Sequence, residues 1–165
     1  MIPLPPPLGA GGITLWRLDR ARHAASWASG EGAYQVGGRW NPKGMRAVYA
    51  ALDPATAILE VAVHKGFTAL DTEPHVLTRA RWADPQTLKV VGAGDVPNAN
   101  WLVPGVVSAG QQAFGAQVLR EHGAMLVPSV VSRHSWNLVF LATAAGFEEM
   151  GQEAFALDPR LHPAG

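Results

Sequence analysis

The sequence predicts a single compact α+β domain built on a mixed or antiparallel sheet. Strand-like and helix-like stretches are interleaved without a regular βαβ alternation, which disfavours a doubly wound parallel sheet. The 165 residues are 48% hydrophobic, enough for one core-bearing domain and too few for two of ordinary size. No internal repeat, heptad or low-complexity tract occurs beyond a proline-rich start.

In chain order, Pro3, Pro5, Pro6 and Pro7 interrupt any helix at the beginning, so residues 1–12 read as a disordered or extended arm. Ile13 to Leu18 reads as a first strand and opens a domain running to residue 161, followed by a short tail, 162–165. Asp19 to Gly38, rich in small residues, reads as irregular. Ala47 to Leu52 is a short strand. Asp53-Pro54 then opens a helix, aspartate at the cap and proline at the first helical position, and Gly66 stops it. His75 to Trp82 alternates as a strand, Leu88 to Val91 is a short apolar run, and Gly94 to Pro104 is a loop anchored by Trp101. Gly110 to His122 reads as a helix closed by Gly123, although Gly115 weakens its interior. Met125 to Val131 and Trp136 to Thr143 read as strands flanking a polar turn, and Glu153 to Leu157 as an edge strand.

Composition excludes several function classes. Lys plus Arg and Asp plus Glu each number 13, so no basic stripe argues for nucleic acid and no cationic run for an anionic membrane. The absence of cysteine removes disulfides and thiol nucleophiles and fits a reducing cytoplasm. The N-terminus lacks the basic and apolar stretches of a targeting segment. Gly30 to Gln35 begins like a dinucleotide fingerprint but does not end as one, and no Walker loop occurs. Gly105 to Gly110 has one residue too many for a nucleophile elbow. The six histidines show no ligand spacing, so no metal is expected.

Gly37 to Glu60 is the stretch that carries chemistry, since it sets an arginine, a tyrosine and a lone carboxylate among turn-forming and apolar residues. Arg39 lies between Gly37-Gly38 and Trp40-Asn41-Pro42, so its planar fork of donors sits on a constrained loop where it can grip an anion. Each residue also has a plainer reading. Glu60 shares an i±4 stripe with Thr56 and His64, as the wet face of an amphipathic helix would. Arg39 can stack on Trp40 at the surface, Arg17 can present an exposed fork from its strand, and Tyr49 can be a core aromatic. Ser129, after Pro128, can simply form a turn.

The chain resembles the RES domain, a bacterial toxin family named for an arginine, a glutamate and a serine. The match runs through Leu15-Trp16-Arg17-Leu18, Gly30-Glu31-Gly32-Ala33, Gly37-Gly38-Arg39-Trp40-Asn41, Val48-Tyr49 and Ala57-Ile58-Leu59-Glu60-Val61. It resumes at Val127-Pro128-Ser129-Val130-Val131, Ser135-Trp136-Asn137 and Phe155 to Leu161. The chain departs from the family after Asn137, where Leu138 to Thr143 replaces a strand ending in an Asn-Pro turn and a histidine. The resemblance implies a fold like that of ADP-ribosyltransferase toxins and a toxin that degrades NAD by cleaving its nicotinamide–ribose bond. It implies Glu60, Arg39 and Tyr49 as catalytic, and Arg17, Arg39, Tyr49, Ser129 and Asn137 as NAD-binding. In that mapping, arginine forks hold pyrophosphate, Tyr49 stacks on nicotinamide or closes over ribose, and Glu60 supports the positive charge developing at the anomeric carbon. Nicotinamide leaves from a cationic pyridinium and needs no proton, so one carboxylate suffices. Water, phosphate or a protein side chain can be the acceptor, and a catalytically silent partner-binding module is the alternative from another class. NAD enters as substrate rather than cofactor, and the expected partner is an Xre-type antitoxin covering the pocket. Cytoplasmic location follows from the same resemblance, and the apolar content permits an oligomeric interface.

Overall fold

A computed structural model describes residues 2–105 and 107–162. Its centre is a seven-stranded sheet of order β4-β5-β6-β2-β1-β3-β7. The strands are β1 (Ile13–Arg20), β2 (Ala47–Ala51), β3 (His75–Trp82), β4 (Lys89–Val90), β5 (Ala124–Pro128), β6 (Trp136–Leu141) and β7 (Phe147–Phe155). Only β4 and β5 pair in parallel; the other neighbours are antiparallel, so the sheet is mixed and the fold is α+β.

Two helices position the site. Helix α2 (Pro54–Lys65) begins where the Asp53 carboxylate accepts from Thr56 N and ends at Gly66, whose N–H donates to Ala62 O. Helix α4 (Ala109–His122) is capped by Ser108 and closed by Gly123 at φ 76°, a left-handed conformation that glycine adopts without strain. Its interior glycine has a packing reason: a Cβ on Gly115 would lie 2.1 Å from the Trp40 carbonyl oxygen. Directly paired residues share a sheet face, so Trp16 opposite Ala51, and Tyr49 opposite Val139, put the contacts of both helices on one face. There α4 sets Val118 and Leu119 on Met125, Val127 and Val139, while α2 sets Ile58, Val61 and Ala62 on Leu18 and Leu77. The other face buries Leu15, Val48, Leu126 and Leu138 under an aromatic group of Trp27, Trp82, Phe140 and Phe147.

Several expectations are corrected. Asp19 to Gly38 is not irregular throughout: it holds a 3-10 turn, Ala21–Ser26, and a helix, α1 (Glu31–Val36). That helix is six residues long and starts at Gly30 with no side-chain cap, so it has neither the length nor the start signal that sequence reading relies on. A second short helix, α3 (Phe67–Thr72), follows the Gly66 stop at once. The expected strand ending at Val131 stops at Pro128, and the one ending at Thr143 stops at Leu141. The edge strand runs over Phe147–Phe155 rather than Glu153 to Leu157; Phe147 and Phe155 are half-buried and the residues between them exposed, so no alternation marks it. Trp101 is buried against Trp40, as its loop suggested. In the proline-rich segment, Leu4 O accepts from Trp136 Nε1 at 2.9 Å and Leu4 N–H donates to His134 Nδ1 at 3.2 Å. Residues 163–165 of the expected tail and Met1 of the arm lie outside the described residues.

Candidate active site

Glu60 is the centre of a polar constellation that joins α2 to the sheet. Its Oε1 accepts from Ser129 Oγ at 2.9 Å and from Asn137 Nδ2 at 2.7 Å. Its Oε2 lies 3.7 Å from His64 Nε2, one helical turn on. Asn137 reaches it because β6 pairs with β2 at Ala51, on the helix-bearing face. Ser129 reaches it because the chain leaves β5 at Pro128, and the serine is fixed there by its N–H to Ser135 O and by the Ser132 N–H donated to its Oγ. Burial would raise the Glu60 pKa, but the donors His64, Asn137 and Ser129 outweigh it and hold the carboxyl below its ordinary value. Glu60 is therefore a partly desolvated anion, not a residue of a solvated helix face.

The Arg39 guanidinium lies near enough to this carboxylate for the two charges to interact. Burial draws the Arg39 guanidinium below its ordinary pKa, and the charge of Glu60 acts in the opposite sense, which places the two within electrostatic reach. Arg39 Nη1 donates to Trp101 O at 3.2 Å and Nη2 to Val103 O at 3.4 Å. Tyr49 is turned toward the loop: its hydroxyl donates to Asn41 Oδ1 at 2.6 Å and accepts from Trp40 N–H at 3.1 Å. Burial raises the Tyr49 pKa, so the phenol stays protonated and available as a donor. Asn41, fully buried, also donates to Ala33 O and Pro42 O, which closes the loop on itself.

Arg17 is tied differently. Its guanidinium pairs with Asp19 at 3.0 Å and donates to Tyr49 O at 2.8 Å, bridging β1 and β2 where the two strands share only the register pair Trp16 with Ala51. The structure thus brings Glu60, Ser129 and Asn137 into direct contact, sets Arg39 on a loop held by the hydroxyl of Tyr49 from β2, and joins Arg17 to the group through the Tyr49 backbone. Sequence reading gave no role to His64, Asn41 or Gln112. The i,i+4 spacing of Glu60 and His64 was the available signal for the first. Among the described residues no group of three or more His, Asp or Glu is placed to hold a metal ion. Among the described residues no helix is long and apolar enough to cross a membrane.

The arrangement, an anion held by two hydrogen bonds with a histidine 3.7 Å away and a loop-held guanidinium within electrostatic reach, is found in a chain whose residues 14–158 match the RES domain family. The chain belongs to the RES family. It is 29% identical over 155 residues to a protein named toxin Res from Photorhabdus laumondii, covering 90% of this chain and 97% of that one. It is 31% identical over 164 residues to the Prs ADP-ribosylating toxin of a Sphingobium species, covering 90% and 96% respectively. A toxin Res from Pseudomonas putida is 32% identical over 132 residues, 78% of this chain and 83% of that one. Among solved structures, a chain of the MbcT-MbcA toxin-antitoxin complex of M. tuberculosis superposes with a TM-score of 0.68 at 24% identity, over 88% of this chain and 87% of that chain. This likeness shows that the fold is shared.

Proposed function

We propose that this RES protein is the toxin of a toxin-antitoxin system and consumes NAD by breaking the bond between nicotinamide and ribose. The observation that carries the reading is the Glu60 carboxylate, kept ionised by Ser129, Asn137 and His64 within reach of the Arg39 charge. As the glycosidic bond breaks, its electron pair leaves with nicotinamide, which departs neutral, and positive charge gathers at the ribose anomeric carbon. Glu60 stabilises that charge in a site where water screens it little. An oxygen or nitrogen nucleophile then bonds to the carbon and gives up its proton. Water yields ADP-ribose, phosphate yields its phosphate ester, and a protein side chain yields an ADP-ribosylated protein. Arg39 and Arg17 supply donors for the pyrophosphate, Tyr49 lies beside the ribose and nicotinamide, and Ser129 and Asn137 hold the Glu60 carboxylate. NAD as substrate sets the site of action in the cytoplasm, and no metal or cofactor enters the reaction.

Net NAD degradation is the first reading. Protein ADP-ribosylation is the second, favoured by the Sphingobium relative, which is named as an ADP-ribosylating toxin and aligns over 96% of its length. An antitoxin partner is supported by the toxin-antitoxin complex that contains the superposing chain, and the family resemblance makes an Xre-type protein the candidate. Inhibitor-free protein incubated with NAD and chelator, with and without phosphate, is expected to release nicotinamide; labelled NAD distinguishes free product from labelled protein. No nicotinamide release and no NAD binding would overturn the reading and leave a silent binding module.

A further inference from the structure

We propose that Gln112, on the first turn of α4, is a positioning residue for substrate binding, because it fixes one of the two peptide units that bracket Arg39. The inference rests on the reading of Arg39 as the group that grips the substrate's phosphates. Gln112 Nε2 donates to Gly38 O at 2.8 Å, and Gly38 O belongs to the peptide that enters Arg39. The peptide that leaves Arg39 ends in Trp40 N–H, which donates to the Tyr49 hydroxyl at 3.1 Å. These two planes set the φ and ψ of Arg39, so holding both fixes the direction in which its side chain departs. The far end is held as well. Arg39 Nη1 donates to Trp101 O, and the same carbonyl accepts from Gln111 Nε2 at 3.1 Å.

Two consecutive glutamines therefore serve the two ends of one arginine: Gln112 its backbone, Gln111 the carbonyl on which its guanidinium rests. The geometry leaves little slack. A Cβ on Gly38 would lie 2.5 Å from the Tyr49 hydroxyl, and one on Gly115 would lie 2.1 Å from Trp40 O, so α4 and β2 grip the loop from both sides. Gln112 itself is only half-buried, and its removal deletes a bond rather than opening the core. A bidentate pair with a phosphate demands a fixed guanidinium plane, and a wandering one binds with the same charge and worse geometry.

The experiment compares Gln112→Ala with Gln117→Ala, a control on the same helix whose side chain donates to Glu121. The expected result for Gln112→Ala is a KM for NAD raised about fivefold, the size of one lost side-chain to backbone hydrogen bond, with kcat within about twofold. In an Arg39→Ala background the same substitution should change KM no further, because its effect passes through the arginine. In ligand-free protein, the Trp40 amide should exchange faster and the Arg39 Nε–H resonance should move. An equal KM effect without Arg39, a fall in kcat at constant KM, or an unmoved Arg39 resonance would each overturn the proposal. A wild-type protein inert toward NAD would instead end the functional reading, and the two ligand-free measurements would still decide the role of Gln112.

Discussion

At the scale of single residues, Glu60 is the most decisive. Glu60→Gln keeps the shape and removes the charge, so turnover should fall by about a hundredfold or more, as when one charge-stabilising donor is lost from an active site, while NAD affinity changes by less than about tenfold. Steady-state kinetics and calorimetry on one preparation check this, and full turnover would remove Glu60 from the chemistry. His64 extends the argument to pH. It is held above its ordinary 6.5 chiefly by its bond to Glu60. Glu60 sits below its ordinary 4.5 although burial alone would raise it. A raised histidine contributes fully below pH 6.5 and is lost as pH climbs through its folded value. A depressed carboxylate contributes fully above pH 4.5 and is lost as pH falls through its folded value. The pair is therefore complete between about pH 4.5 and 6.5. His64→Ala should move the acid limb of the kcat profile upward; an unmoved limb would show that the histidine does not tune the carboxylate. Little of this was legible in the chain without the family resemblance. Glu60 and its stripe fit a solvated face, and what distinguishes it is contact with Ser129 and Asn137, 69 and 77 residues away.

At the scale of elements, the helices that carry the site were the readable ones. Asp53-Pro54 and Gly66 punctuate α2, and Gly123 closes α4, because caps are local chemistry; the Ser108 cap of α4 was not read from the sequence. Helices α1 and α3, six residues each, and the exposed strand β7 have no such signal; their register comes from what they pack or pair against. Gly115 shows the limit well. In the sequence it is a helix weakener, and in the fold it is the point where α4 meets the backbone of Trp40. Gly115→Ala gains about 1 kcal/mol of helix propensity. It should nevertheless be net destabilising, since overpacking against an immovable carbonyl costs about 1–3 kcal/mol. Urea denaturation measures the balance, and a stabilised variant would show that the Arg39 loop gives way easily. The same variant should raise the KM for NAD, because the carbonyl it displaces belongs to that loop.

At the scale of the whole molecule, the mixed sheet was legible as a class and not as an order. The interleaving of strands and helices argued against a doubly wound fold, whereas β1 lying between β2 and β3 depends on pairings no local pattern encodes. That order has a mechanical consequence. The strands β4-β5-β6-β2 and β1-β3-β7 form two ladders riveted at Trp16 with Ala51 and tethered by Arg17 at the Tyr49 carbonyl. One core covers both ladders, but the backbone pairing between them is the sparsest in the sheet, so amide exchange in free protein should be faster at this seam than within either ladder. A dinucleotide lying along the seam, in contact with Arg17, Tyr49 and Glu60, would act as mortar between them. At a concentration a hundred times its Kd it should slow opening of the seam by about a hundredfold, and Arg17→Ala should weaken that effect. Substrate would then be a missing rung of the sheet, and the enzyme would be at its stiffest only while occupied.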